Sequence, residues 1–349
     1  MGSVAALVTA SVRTNVATPL MFLATQLLWF LGCYVLVTGL TPLFRRGTRF
    51  QGVLVVCVLL LASGLIDVLR FIANWPSFIG LANFVIVWSV AGYLGSMRAR
   101  GTLSQFSSVF FLGVIVFDLL ANTLLIKYGP WPISLVGMPG DSVSNMAPPT
   151  IVLAIHSVTW VALISLFNLP LTKLLARPKV WKPITGVNLA AMTLYLWHLP
   201  VLVGLFAVSH WVGVDRPTRI GGNGYPVPNG WGYLAGSFLF WVIFAIAVWA
   251  IIRLMWPFEY MKLLYWDKRE RLFRGTSTSQ GLHEFLSGIG VFGVGSSLLV
   301  LSATGFGGFP TRIERYAGLP LNSAGAIGLL VLSAALIRGV GVRSSTPKI

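Results

Sequence analysis

The sequence predicts an all-α fold: a polytopic bundle of about nine transmembrane helices, with the N-terminus outside and the C-terminus in the cytoplasm. Three observations carry this expectation. Hydrophobic residues make up 56% of the 349 and charged residues only 10%, where a soluble globular chain carries roughly 25% charged. Apolar runs of the length a bilayer core requires, about 20 residues each, recur along the chain, as at 51–71 and 232–256. Lys and Arg also alternate between dense and sparse connecting segments.

Hydrocarbon offers no partner for backbone N–H and C=O groups, so continuous apolar runs become helices; a β-barrel would show alternating segments of about ten residues instead. The predicted spans are 19–40, 51–71, 77–97, 104–126, 149–170, 186–209, 232–256, 287–303 and 321–337. Between them the basic residues split unevenly. Seventeen fall on one side: Arg45, Arg46 and Arg49, then Arg98 and Arg100, then Lys173 to Lys182, then Lys262 to Arg274, then Arg338 to Lys348. Seven fall on the other, and the positive-inside rule assigns the dense side to the cytoplasm.

The excess of 25 Lys and Arg over 9 Asp and Glu would point to nucleic acid in a soluble protein. Here it follows from cytoplasmic loops facing anionic head groups, and no basic run is interleaved with stacking aromatics, so no nucleic-acid partner is predicted. Cys33 and Cys57 both fall inside predicted spans, which argues against a disulfide framework. The start lacks a charged n-region, so no secretory signal is predicted. With no internal repeat and no linker, residues 1–349 are expected to form a single transmembrane domain. The 127–148 and 210–231 segments are long outer loops, and 259–284 reads as a charged cytoplasmic connector or short interfacial helix.

Polar groups within spans are costly and mark candidate function. They are Asp67 and Arg70 in the second span, Asn83 in the third, Asp118 and Asn122 in the fourth, His156 in the fifth, and Asn188, Tyr195, Trp197 and His198 in the sixth. Each has a bland alternative. Asp67 and Arg70, at i and i+3, pair on one face; Asp118 and Asn122, at i and i+4, serve as interhelical glue; His156 is a satisfied bundle histidine. If the groups act together they are expected to converge on one partly wet cavity in the outer half of the bundle. Pro200 is expected to kink the sixth span beside Trp197 and His198. The four histidines, His156, His198, His210 and His283, are too far apart for a zinc pattern, so no metal is predicted.

The segment Thr193-Leu-Tyr-Leu-Trp-His-Leu-Pro200 resembles the Tyr-Leu-Trp-His-x-Pro signature of membrane O-acyltransferase family three, which includes peptidoglycan and O-antigen O-acetylases. Leu28-Trp-Phe-Leu-Gly-Cys-Tyr34, followed by Thr41-Pro42, resembles that family's Trp-Phe-Leu-x-x-Tyr helix. Asp67-Val-Leu-Arg-Phe71, Ser144-Asn-Met-Ala-Pro-Pro149 and Gly318-Leu-Pro-Leu321 resemble segments of an actinobacterial branch. The resemblance covers most of the chain. It implies a multi-pass protein of the bacterial plasma membrane that transfers an acyl group, usually acetyl, from a cytoplasmic thioester to a hydroxyl of a cell-envelope glycan or lipid. Acyl-CoA, typically acetyl-CoA, is the implied co-substrate, with no bound cofactor; membrane lipids and a glycan or lipid-linked acceptor are the implied partners.

The family's Arg and catalytic His stand ahead of its Trp-Phe-Leu helix, whereas residues 1–26 here contain no His and one Arg, Arg13. The resemblance therefore implies that the chain lacks the family's first helices, that another chain supplies them or they are lost, and that this chain alone is inactive. His156 and His198 are the candidates for a substitute base. Two other classes remain open from the residues: a non-enzymatic transporter or flippase, and a structural subunit of a membrane complex. The basic partition makes a direct prediction: a cysteine placed within 180–183 stays unlabelled when an impermeant thiol reagent is applied to intact cells, and labels once the membrane is opened. Labelling from outside would reverse the orientation.

Overall fold

A computed structural model describes residues 27–44, 47–135, 144–211, 218–220, 226–228, 230–259, 261, 280–304, 313–316 and 319–340. Ten α-helices hold most of these residues: α1 (Leu28–Phe44), α2 (Arg49–Phe71), α3 (Ala82–Ala99), α4 (Ser108–Tyr128), α5 (Ile151–Leu166), α6 (Asn168–Leu175), α7 (Pro178–Trp211), α8 (Gly230–Glu259), α9 (Gln280–Thr304) and α10 (Ser323–Val340). Seven are long and apolar enough to cross a membrane, or eight if the α5–α6 pair is one broken span. The protein is an α-helical membrane bundle.

Each predicted span corresponds to a helix, but several differ in extent. The first helix begins at Leu28 and has 17 residues, shorter than a bilayer crossing; the 19–26 part of its predicted span lies outside the described residues. The span expected over 149–170 bends by 70° between α5 and α6. Pro170 is the local reason: it has no N–H for the carbonyl of Leu166, and its ring crowds that turn. In contrast, α7 runs through both Pro183 and Pro200 as one helix of 34 residues. Most of the 259–284 connector, and Gly318, lie outside the described residues.

Two antiparallel hairpins were not expected: β1 (Thr218–Ile220) with β2 (Pro226–Pro228), and β3 (Ile313–Tyr316) with β4 (Leu319–Asn322). Both lie in connections between spans. Outside hydrocarbon the chain is released from the rule that each segment satisfies its own backbone, and pairing across a turn becomes available.

Helix starts follow local chemistry. Thr48 and Gln51 form a reciprocal capping box on α2, with Gln51 N–H donating to Thr48 Oγ1 at 3.3 Å and Thr48 N–H to Gln51 Oε1 at 2.9 Å. Ser107 caps α4 through Phe110 N–H at 3.2 Å, and Asn322 Oδ1 accepts from Ala324 N–H at 2.7 Å at the start of α10.

The main core gathers around α3, which buries Phe84, Val87, Val90, Tyr93, Leu94 and Met97. All of these except Phe84 pack with Val56 of α2, Phe111 of α4, Leu153, Ala154 and Ala162 of α5, and Phe44 of α1. A second layer stacks α1 on α9 and α9 on α10. Small residues set its spacing. A Cβ on Gly32 would lie 2.8 Å from the Gly295 carbonyl oxygen, and one on Gly39 would lie 2.6 Å from Val291 Cγ1. Close backbone approach of this kind is how helices associate where lipid removes the hydrophobic drive between them. The α7–α8 pair packs on itself, and little of it is buried among the described residues.

Gly32→Ala is expected to push α1 from α9, because the obstructing atom is backbone and cannot rotate away. We expect a loss of roughly 1–3 kcal/mol, typical of overpacking, measured as thermal or denaturant unfolding in detergent. Gly186→Ala, where a Cβ meets nothing within 4 Å, should be neutral. Equal effects would remove the α1–α9 contact from this account.

Candidate functional site

The sequence-selected polar groups are distributed over three places rather than one cavity. The first lies at the end of α2 away from the Arg49 terminus. Asp67 is fully buried, and its carboxylate accepts three hydrogen bonds: Asn83 Nδ2 to Oδ1 at 2.9 Å, Trp131 Nε1 to Oδ2 at 3.0 Å, and the backbone N–H of Ile151 to Oδ2 at 2.8 Å. Ile151 is the first residue of α5, and its neighbour Thr150 makes no side-chain cap. Asp67 thus caps α5 from another helix, where the partial positive charge of a helix N-terminus favours an anion.

Thr150 turns elsewhere, donating through Oγ1 to Asn145 Oδ1 at 2.7 Å. Asn145 Nδ2 in turn donates to the carbonyls of Pro132 at 2.6 Å and Ser134 at 3.0 Å. The 144–149 stretch is therefore stitched to 132–135. Arg70 packs beside this knot: a Cβ on Gly80 would lie 3.2 Å from Arg70 Cδ, and the guanidinium carbon is 4.6 Å from the Phe71 ring centroid. Asp67 and Arg70 are near each other, as their spacing predicts, but the carboxylate's hydrogen-bond partners come from three other segments. Trp131 and Asn145 were not singled out from sequence. The Pro130-Trp-Pro132 triplet, a donor on a stiff loop, is the signal available for Trp131.

The second place is between α4 and α5. Asp118 is 4% exposed and lies halfway along α4. Thr159 Oγ1 is its hydrogen-bonding neighbour, 3.4 Å from Oδ2, and the same hydroxyl is 3.2 Å from the carbonyl of Ile155. One turn further along α4, Asn122 Oδ1 is buried with no partner among the described residues. His156 lies on α5, one turn from Thr159, and its Nε2 accepts from Trp160 Nε1 at 2.8 Å. Indole only donates, so that lone pair is occupied.

The third place is on α7. Tyr195 packs against Phe30 of α1, ring centroids 4.7 Å apart, and sits 5.8 Å from the His198 ring. His198 Nδ1 is 2.7 Å from the Tyr195 carbonyl oxygen and 3.2 Å from that of Leu194. A carbonyl only accepts, so Nδ1 carries the hydrogen in the neutral ring and the Nε2 lone pair is left without a partner among the described residues. Trp197 is 37% exposed and Asn188 is exposed. The side chains of His210 and His283 lie outside the described residues.

An apolar recess of about 470 Å³ opens beside the start of α2, lined by Leu43, Phe44, Gly47, Gln51, Leu54, Val55 and Tyr93. None of the sequence-selected groups lines it. Comparison with protein families, with curated proteins and with solved structures returns no match.

Asp67→Ala should leave three buried donors unpaired, each worth about 1–3 kcal/mol. We expect unfolding to be eased by at least about 3 kcal/mol, with the emission of Trp131 shifting toward that of a solvated indole. A variant as stable as the parent would show that the α5 cap and the loop do not depend on this carboxylate.

Proposed function

We propose that this chain is a membrane-bound acyltransferase of the cell envelope, moving an acyl group from a cytoplasmic thioester such as acetyl-CoA to a hydroxyl on a glycan or lipid-linked acceptor, in the plasma membrane of a bacterium. One observation carries the reading. The two segments on which the resemblance mainly rests, around Trp29-Phe30 and around Tyr195-Leu-Trp-His198, are far apart in sequence yet meet at Phe30 and Tyr195. Motif residues that gather across helices are what a shared site requires.

Where the family's own base is supplied by helices outside this chain, His198 is the better placed substitute of the two described histidines. Its Nδ1–H is held by the Tyr195 carbonyl, the arrangement that fixes a tautomer and aims Nε2. Acyl transfer then proceeds by general-base catalysis: Nε2 takes the acceptor's hydroxyl proton, the oxygen attacks the thioester carbonyl, and the thiolate leaves and is reprotonated. His156 has its Nε2 already engaged by Trp160. The apolar recess beside the start of α2, the end that carries Arg49, suits approach of an anionic thioester carrier.

The test is turnover by the purified chain in nanodiscs with radiolabelled acetyl-CoA and a panel of glycan and lipid-linked acceptors. The chain alone is expected to be inactive until the family's first helices are supplied; turnover without them, lowered at least about 100-fold in His198→Gln and retained in His156→Gln, would assign His198 as the substitute base. Absence of any turnover in the parent chain would return the base to helices outside this chain, as the family pattern implies, and would remove His198 from the role.

A further inference from the structure

A carboxylate at the centre of a bilayer is tolerated only with partners that offset its desolvation. Asp67 has three donors and is satisfied. Asp118 is nearly as buried, yet its single neighbouring donor is the Thr159 hydroxyl at 3.4 Å. That hydroxyl has one hydrogen and a nearer claimant, the Ile155 carbonyl at 3.2 Å. Asn122, four residues along the same face of α4, adds a further acceptor, because its Oδ1 is buried and unpartnered among the described residues. The cluster thus contains two carboxylate oxygens, an amide oxygen and a hydroxyl oxygen; the Thr159 hydrogen is the one donor that reaches the carboxylate, and the two N–H hydrogens of Asn122 make no hydrogen bond among the described residues. A surplus of buried acceptors around a formal negative charge is the chemistry that binds a cation.

We propose that Asp118, Asn122 and Thr159 form a binding site for one monovalent cation, a proton or a sodium ion, between α4 and α5. One positive charge neutralises the carboxylate. It also gives the orphan oxygens a partner: a proton on Asp118 donates to Asn122 Oδ1 or Thr159 Oγ1, and a sodium ion takes the same oxygens as ligands. A divalent ion fits less well, since no group of three or more His, Cys, Asp or Glu side chains gathers among the described residues. The titratable group on the packed helix α5 is His156, whose Nε2 is engaged by Trp160; on α4 itself it is Lys127, beside Tyr128 at the helix end. This assignment is independent of the acyl-transfer reading.

The experiment uses the full chain in nanodiscs and has two arms. In the first, 22Na+ binding is measured at alkaline pH; a sodium site gives saturable binding of one ion per chain, lost in Asp118→Asn and weakened about tenfold in Thr159→Val, which removes one oxygen ligand. In the second, infrared difference spectra between acid and alkaline buffers are recorded without sodium; a proton site gives a protonated-carboxyl C=O band that shifts in D2O and is absent in Asp118→Asn. His156→Gln should leave either signal in place. Either positive arm supports the site and names its ion. An ionised carboxylate that neither binds sodium nor changes between the buffers would overturn it, as would a signal that survives Asp118→Asn or disappears in His156→Gln. Should Asp118→Asn fail to fold, Asn122→Ala and Thr159→Val, each removing one oxygen, are expected to weaken 22Na+ binding about tenfold or to shift the carboxyl band, and no change in either signal would overturn the site.

Discussion

The carboxylate of Asp67 is the constraint on which one end of the bundle depends. It accepts from α3 through Asn83, from the α4–α5 connection through Trp131, and from the first turn of α5 through Ile151. No covalent link joins these segments locally, and an apolar side chain at position 67 would leave all three donors buried without an acceptor. Directed N–H groups and a helix N-terminus offset the desolvation of a carboxylate at this position. Once α5 is capped from α2, its register against α4 follows, and with it the position of Thr159 opposite Asp118.

The division of the bundle into layers has a similar origin in the choice of residue size. Where α1 meets α9, glycines bring backbones together, and contact area replaces the missing hydrophobic drive. Where α2, α3, α4 and α5 meet, branched and aromatic side chains supply most of the buried contact. The α7–α8 pair touches α1 through Tyr195 and Phe30, so a few ring contacts orient the helix that carries His198.

Hydropathy made the helical segments legible because each span must satisfy its backbone alone, so its signature is local in sequence. Helix α4, expected over 104–126, is found at Ser108–Tyr128. What was illegible is what depends on neighbours. The bend between α5 and α6 needs Pro170 in a helix free to fold back, whereas α7 continues through Pro200 with the same residue type. The hairpins form from strands of three or four residues with no apolar alternation long enough to read. Among the polar groups, sequence spacing showed that Asp67 stands one turn from Arg70. It did not reveal Asn83, Trp131 and Ile151 as partners, since those lie 16, 64 and 84 residues away. The Tyr195–His198 contact is made within one helix at i and i+3, yet it was not read from the spacing, and neither was the Phe30 contact that anchors it.

Asp67 and Asp118 form a comparison internal to the chain. Both are buried aspartates of apolar helices, and burial alone would assign them the same role. Their donor counts separate them. With three directed donors Asp67 is complete, and any ligand added there would have to displace a bond already made. With one shared hydroxyl, and an unpartnered amide oxygen a turn away, Asp118 gains from a cation what Asp67 already has from protein. The desolvation of a lone carboxylate at mid-bilayer costs several kcal/mol, more than a single bent hydroxyl contact returns, so the helix pair α4–α5 is most stable with the charge compensated. A residue that is costly when uncompensated and whose compensation can come and go is the kind that couples occupancy to helix packing, and α4 and α5 pack directly against each other at this point.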